Sequence, residues 1–145
     1  MSKREDIASN IVTVITNISS PDTKKVTRQP FNLEELSQTQ YPAVLVQTQT
    51  EEKEDQEIGE GAKTRVNVLE FLITGYVKGS ESNIDTARNT LASAIETALE
   101  TDITRSGNAL DTEVVQVETD EGTLFPVGGI VMTIRCIYKY LAGTP

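Results

Sequence analysis

The chain contains no histidine and no tryptophan, and it has a single cysteine, Cys136. The missing histidines remove the commonest general base, the commonest zinc ligand and the usual pH switch. One cysteine cannot form a disulfide within the chain. Because Cys136 lies inside the apolar run 130–141, we expect it to be a small buried side chain rather than a reactive thiol.

Long apolar runs are also missing. No stretch approaches the roughly 20 apolar residues that a membrane-spanning helix needs. The first residues are charged and lack the apolar core of a signal peptide. We therefore expect no membrane partner, and we expect the protein to be made in a cytoplasm-like compartment.

Basic residues are scarce relative to acidic ones. The 13 lysines and arginines face 22 acids, which gives a net charge of −9. Proteins that bind nucleic acid normally carry the opposite sign. An acidic surface would instead let DNA pass without sticking, because like charges repel.

Catalytic patterns are absent from the sequence. The acids lie mainly in polar stretches, not in the apolar clefts that set two carboxyl pKa values apart. Gly59 and Gly61 are not followed by the Lys-Ser/Thr pair of a phosphate loop. No serine or threonine has a histidine that could activate it. We expect no enzyme activity, no cofactor and no metal site.

The length of 145 residues favours one domain, 1–145, with a well-buried core. Two segments, 3–19 and 82–101, have apolar residues at the three- and four-residue spacing of helices. The first stripe consists of Ile7, Ile11, Val14, Ile15 and Ile18. The second consists of Ile84, Ala87, Leu91, Ile95, Ala98 and Leu99, and it leaves out Arg88, Glu96 and Glu100.

Strand-like alternation dominates the rest of the chain. Segments 43–50 and 64–77 form the two legs of a long β-hairpin, and a short basic strand at 24–28 precedes them. Strands at 111–119 and 129–141 follow the second helix, and in the former we expect Val115 and Val117 to face inward. The order predicts an α+β fold with two layers: a mainly antiparallel β-sheet, two main α-helices packed on it, and a long β-hairpin arm.

The predicted hairpin tip, 51–63, is strongly acidic. It has few apolar groups with which to order itself. One interpretation is a flexible solvated loop. The other is an arm that contacts a neighbouring subunit or lines a pore, since long loops are uncommon without a role. The candidate inter-subunit or lumen-facing residues are Glu51, Glu52, Glu54, Asp55, Glu57 and Glu60.

The basic segment 24–28 contrasts with the acidic remainder of the chain. Its charges are those of Lys24, Lys25 and Arg28. Lysines commonly protect the exposed edge of a sheet, so this segment could be a solvated edge. Alternatively, the three residues form a basic interface patch that faces an acidic partner subunit.

The layout as a whole resembles the tail terminator, or tail completion, proteins of tailed bacteriophages. The likeness rests on the order of the elements and on three stretches: YPAVLV at 41–46, SNIDTARNTLASAIETAL at 82–99 and GGIVMTIRCIYKY at 128–140. It covers nearly the whole chain, although these proteins usually have shorter hairpin tips. That family has no catalytic residues, so the resemblance implies none in this chain.

The resemblance implies a structural virion protein at the junction of tail and neck, assembled in the host cytoplasm. Such proteins form a ring, typically of six copies, which caps the tail tube, ends its polymerisation and joins the tail to the head. The implied partners are further copies of the chain, the tail tube protein, a neck or head-completion protein and, in a contractile tail, the sheath protein. DNA would pass through the lumen without specific binding.

Two other functions fit the same residues. The chain could be a head-completion or stopper protein of the neck. It could also be a monomeric, non-enzymatic binding module, which predicts a small-ligand pocket and no ring.

Overall fold

The computed structural model of the protein describes residues 2–55, 64–79, 83–120, 126–141 and 143. Its helices are α1 (Lys3–Thr16) and α2 (Ile84–Thr101). Its strands are β1 (Lys25–Thr27), β2 (Ala43–Asp55), β3 (Thr64–Lys78), β4 (Asp111–Thr119) and β5 (Val127–Leu141). Two short 3-10 turns, Leu33–Glu35 and Gln38–Gln40, lie between β1 and β2.

α1 begins at a side-chain cap. The hydroxyl of Ser2 accepts a hydrogen bond from the Glu5 N–H at 3.3 Å, which satisfies one of the free donors of the first turn. The helix ends at Thr16, three residues earlier than predicted. There the Ile18 N–H turns back to the Ile15 carbonyl at 3.1 Å. Its buried stripe is Ile7, Ala8, Ile11 and Ile15.

α2 carries the longer apolar stripe. Its buried residues are Ile84, Arg88, Leu91, Ile95 and Leu99. Its prediction as a helix was right, but the placement of Arg88 outside the stripe was wrong. Helical spacing puts Arg88 between Ile84 and Leu91, and two carboxylates make its burial tolerable.

The strands form one sheet in the order β1-β2-β3-β5-β4. β1 pairs with β2 in parallel, and all other neighbours are antiparallel. The helices contact each other, α1 packing on β1 and β2 and α2 on β3, β5 and β4. This confirms the α+β prediction of helices on a mainly antiparallel sheet.

The hairpin strands are longer than the sequence predicted. β2 continues to Asp55 and pairs with β3 as far as Arg65, with a bulge between Thr48 and Thr50. Residues 51–55 are therefore strand rather than loop. The rest of the predicted tip, 56–63, lies outside the described residues, so the long arm stays a prediction.

Alternation was a good guide to the central strands. In β3 the buried face carries Leu69, Phe71, Ile73 and Val77. In β5 it carries Ile130, Met132, Ile134, Cys136 and Tyr138. The expectation that Cys136 is buried is confirmed.

The prediction of which β4 side chains face inward was wrong. Val114 packs against the core, whereas Val115 and Val117 are 40% and 44% exposed. A bulge between Val114 and Gln116 inserts an extra residue and breaks the two-residue period. β4 is also an outer strand of the sheet, so the residues after the bulge have little cover.

Candidate assembly interface

The basic segment lies at the β1 edge of the sheet. Lys24 contacts Asp22 at 2.6 Å, and Arg28 forms an ion pair with Glu5 of α1. The Nζ atom of Lys25 lies 5.1 Å from the ring centre of Phe31. All three groups thus have contacts within the chain. The two ion pairs are largely exposed, and such pairs contribute little to stability.

The candidate acidic residues of the hairpin differ in exposure, and the structure describes only some of their side chains. Glu52 is exposed on β2, and Glu51 is half-buried. Glu54 and Asp55 belong to β2, but the structure does not describe their side chains. Glu57 and Glu60 lie outside the described residues. Their predicted contact with a subunit or a lumen remains a prediction.

Glu51 lies in a polar cluster that the sequence did not indicate. Its carboxylate accepts hydrogen bonds from Tyr138 Oη and, at 2.7 Å, from Asn67 Nδ2, and it pairs with the Arg4 guanidinium. Asn67 is fully buried and also donates to Tyr138 Oη at 3.0 Å. The cluster joins α1, β2, β3 and β5. In the structure, Glu51 therefore faces its own chain.

The environment of Glu51 favours its charged form. Burial opposes the charge, but the hydrogen bond from Tyr138, the charge of Arg4 and the Asn67 amide outweigh it and lower the pKa of the Glu51 carboxyl. The cluster therefore holds α1 and the sheet together most strongly when Glu51 is ionised.

The sheet face opposite the helices carries mixed chemistry. Val68 of β3 lies beside Ile137 of β5, and both are half-buried. Next to this pair, Arg135 reaches Glu113 at 3.3 Å and Glu70 at 3.8 Å. This row of charges crosses β3, β5 and β4. It gives this face of the sheet charged as well as apolar side chains.

In the described part of the chain, four of the five exposed large apolar side chains lie on β4 or in the loop before it, and the fifth is Leu141 of β5. Four large side chains along β4 and the loop before it are each 40–50% exposed: Ile103, Leu110, Val115 and Val117. The loop is held against β4 and β5, because Thr112 Oγ1 donates to the Ile103 carbonyl at 2.8 Å and the Leu110 N–H donates to the Ile137 carbonyl at 2.6 Å. The two loop side chains are thus held beside the strand, and the four side chains together are called the apolar strip.

Two buried arginines were missed by sequence reasoning. Arg88 contacts Asp120 and, at 3.0 Å, Asp85, and so connects α2 to the end of β4. Arg105 is fully buried and donates to the carbonyls of Leu99 and Asp102, near the C-terminal end of α2. The spacing of Arg88 from Ile84 and Leu91 was a usable signal. Nothing in the loop sequence marked Arg105.

A partly apolar cavity lies at the N-terminal half of α2. It measures about 330 Å³, and Pro21, Tyr41, Pro42, Val77 and Lys78 line much of it. Lys78 Nζ lies 5.8 Å from the ring centre of Tyr41. In the described part of the chain, no three acidic or cysteine side chains come together as metal ligands. Nor does any described helix have the length and apolarity to cross a membrane.

Comparison with known proteins assigns no family to the chain. No protein-family model matches the sequence, and no curated protein matches it. Among solved structures, it is similar to a chain of the virion of a native gene transfer agent (GTA) particle. The two chains are 10% identical, 94% of each is covered, and the TM-score is 0.44.

Proposed function

We propose that this protein is a structural subunit of a phage-like virion and acts as a tail terminator. Copies of the chain, typically six, form a ring that caps the tail tube, ends its polymerisation and joins the tail to the neck. It works through binding surfaces alone, without catalysis or a cofactor.

The observation that carries the proposal is the apolar strip at the β4 edge. Ile103 and Leu110 in the loop and Val115 and Val117 on β4 expose apolar surface, and no described strand pairs with the outer edge of β4. Exposed apolar patches and long uncovered edge strands are typical of surfaces that bind another protein. The strip therefore supports a protein that works in an assembly.

The more specific role rests on the arrangement of the elements. The sequence likeness to tail terminators implies helices packed on a mainly antiparallel sheet, and the chain has that arrangement. The charge of −9 also suits a ring through which DNA passes, because a lumen with acidic groups would repel the phosphates.

A tube-length assay tests the proposal. The tube protein encoded with this chain is polymerised with and without it, and tube lengths are measured by electron microscopy. A terminator is expected to bind tube ends and to shorten the length distribution as its concentration rises. An unrelated acidic protein of similar size is the control. Tubes that grow equally long with and without the chain would refute the terminator role.

A labelling experiment separates the terminator from a neck stopper. Tails assembled in the absence of heads are isolated and stained with an antibody against the chain. A terminator is expected at one end of these tails. Label found only on head particles would identify a head-completion or stopper protein instead.

A further inference from the structure

We propose that the two edges of the sheet bind each other in neighbouring copies, so that β4 of one copy pairs with β1 of the next. This inference rests on the proposed ring and assigns its contact surfaces. The occupant of the apolar β4 edge is then a second copy of this chain.

β4 lacks two usual protections of an exposed edge, shortness and lysine or proline residues. Natural edge strands are often short, or they carry lysine or proline to prevent pairing. β4 has nine residues, DTEVVQVET, with neither lysine nor proline. Its protective features are its acidic side chains and the bulge after Val114, and Val117 beyond the bulge is 44% exposed. An edge of this kind is suited to pairing.

The opposite edge of the sheet has complementary charge. β4 carries Asp111, Glu113 and Glu118, and the segment around β1 carries Lys24, Lys25 and Arg28. The contacts of Lys24, Arg28 and Glu113 within the chain are ion pairs with exposed groups, which are weak and can rearrange. An acidic edge and a basic edge attract each other and repel themselves. This favours head-to-tail contact over pairing of two β4 strands.

Strand directions allow the same contact. β1 runs with β2, and each later step across the sheet, to β3, β5 and β4, reverses the direction. β4 is therefore antiparallel to β1. When the sheet of one copy continues into the next in the same orientation, β4 meets the neighbour's β1 as an antiparallel pair, the commoner kind.

The contact joins the β4 edge of one copy to the β1 edge of the next. Each of the two copies therefore keeps its other edge free to bind a further copy. Such an interface closes into a ring when a whole number of copies, each rotated by the same angle, completes a full turn. β1 has only three residues, and the ladder of hydrogen bonds is correspondingly short. Charge pairing and cover of the apolar strip then supply the rest of the affinity, and assembly should weaken as salt rises.

Charge reversal at each edge tests the assignment. One variant carries Lys24→Glu and Lys25→Glu, which makes both edges acidic. The other carries Glu113→Lys and Glu118→Lys, which makes both edges basic. Each variant alone is expected to lose assembly, with the apparent Kd raised about tenfold or more at low salt. An equimolar mixture is expected to assemble again, because acidic and basic edges then alternate around the ring.

The control variant is Glu96→Lys with Glu100→Lys, which makes the same charge change on α2. It is expected to assemble like the wild type. Circular dichroism and thermal unfolding check that every variant is folded, and analytical ultracentrifugation measures the oligomer.

Several results would overturn the edge contact. These are a wild-type protein that stays monomeric at every concentration, both alone and with tail tubes, reversed variants that assemble unchanged, and a mixture that does not recover. If the variant with Lys24→Glu and Lys25→Glu assembled normally by itself, β4 would pair with something other than β1. The tube assay stays independent, since wild-type rings that use these edges but leave tube length unchanged would refute only the terminator function.

Discussion

The carboxylate of Glu51 is the point at which four elements meet through polar contacts. Arg4 comes from α1, Asn67 from β3 and Tyr138 from β5, while Glu51 itself lies on β2. A buried carboxylate with several donors is stabilised in its charged form, and the loss of that charge leaves the donors unsatisfied. Glu51 is therefore expected to support the fold.

Glu51→Gln is expected to destabilise the protein by about 2 kcal/mol at pH 7, because an amide is a weaker partner than a carboxylate for Arg4 and Tyr138. The pKa of Glu51 is lowered in the folded state. The stability that its charge contributes is thus fully present above the ordinary glutamate value of about 4.3. It is lost as the pH falls through the lowered folded value.

Urea unfolding at pH 7 and at pH 3 measures this effect. The difference between the wild type and Glu51→Gln should shrink on acidification. Glu52→Gln, an exposed neighbour on β2, is the control and should change stability little at either pH. Equal stability of Glu51→Gln and the wild type at pH 7 would contradict a structural role for the cluster.

At the scale of elements, the contact between α2 and the sheet depends on a glycine. A Cβ atom at Gly75 of β3 would lie 2.9 Å from Leu91 Cδ2 and 3.0 Å from Ile130 Cγ1. Both neighbours are fully buried or nearly so, and they have little room to move. Gly75 therefore allows α2 to approach the sheet closely.

Gly75→Ala is expected to lower the free energy of unfolding by about 1–3 kcal/mol through overpacking. In a Leu91→Ala background the same change should cost less, because the space needed by the new methyl group is already open. Thermal or urea unfolding of the two single variants and the double variant gives the coupling. Strictly additive effects would show that Gly75 and Leu91 do not compete for space.

The elements differ in how well the sequence predicted them. β3, β5 and α2 have long regular periods, and these fixed their type and most of their buried faces. β4 was misread because its bulge breaks the period, and Arg88 because its charge concealed its position in the stripe. The Glu51 cluster could not be predicted from the sequence, since it joins residues that only the fold brings together. The basic edge, by contrast, could be read directly from residues 24–28.

At the scale of the whole molecule, one side of the sheet is covered by helices and the two edges differ in charge. The basic edge around β1 and the acidic, apolar edge of β4 lie at opposite ends of the strand order. This polarity is what a head-to-tail ring requires. The net charge of −9 is compatible with DNA moving through such a ring.

The most direct test of this account is the mass and shape of the assembled protein. Analytical ultracentrifugation at rising concentration, alone and with short tail tubes, gives the mass of the species, and electron microscopy gives its shape. We predict a closed ring with a central hole and a mass near six times that of one chain, either free or at one end of the tubes. A protein that remains a monomer under both conditions would contradict the account.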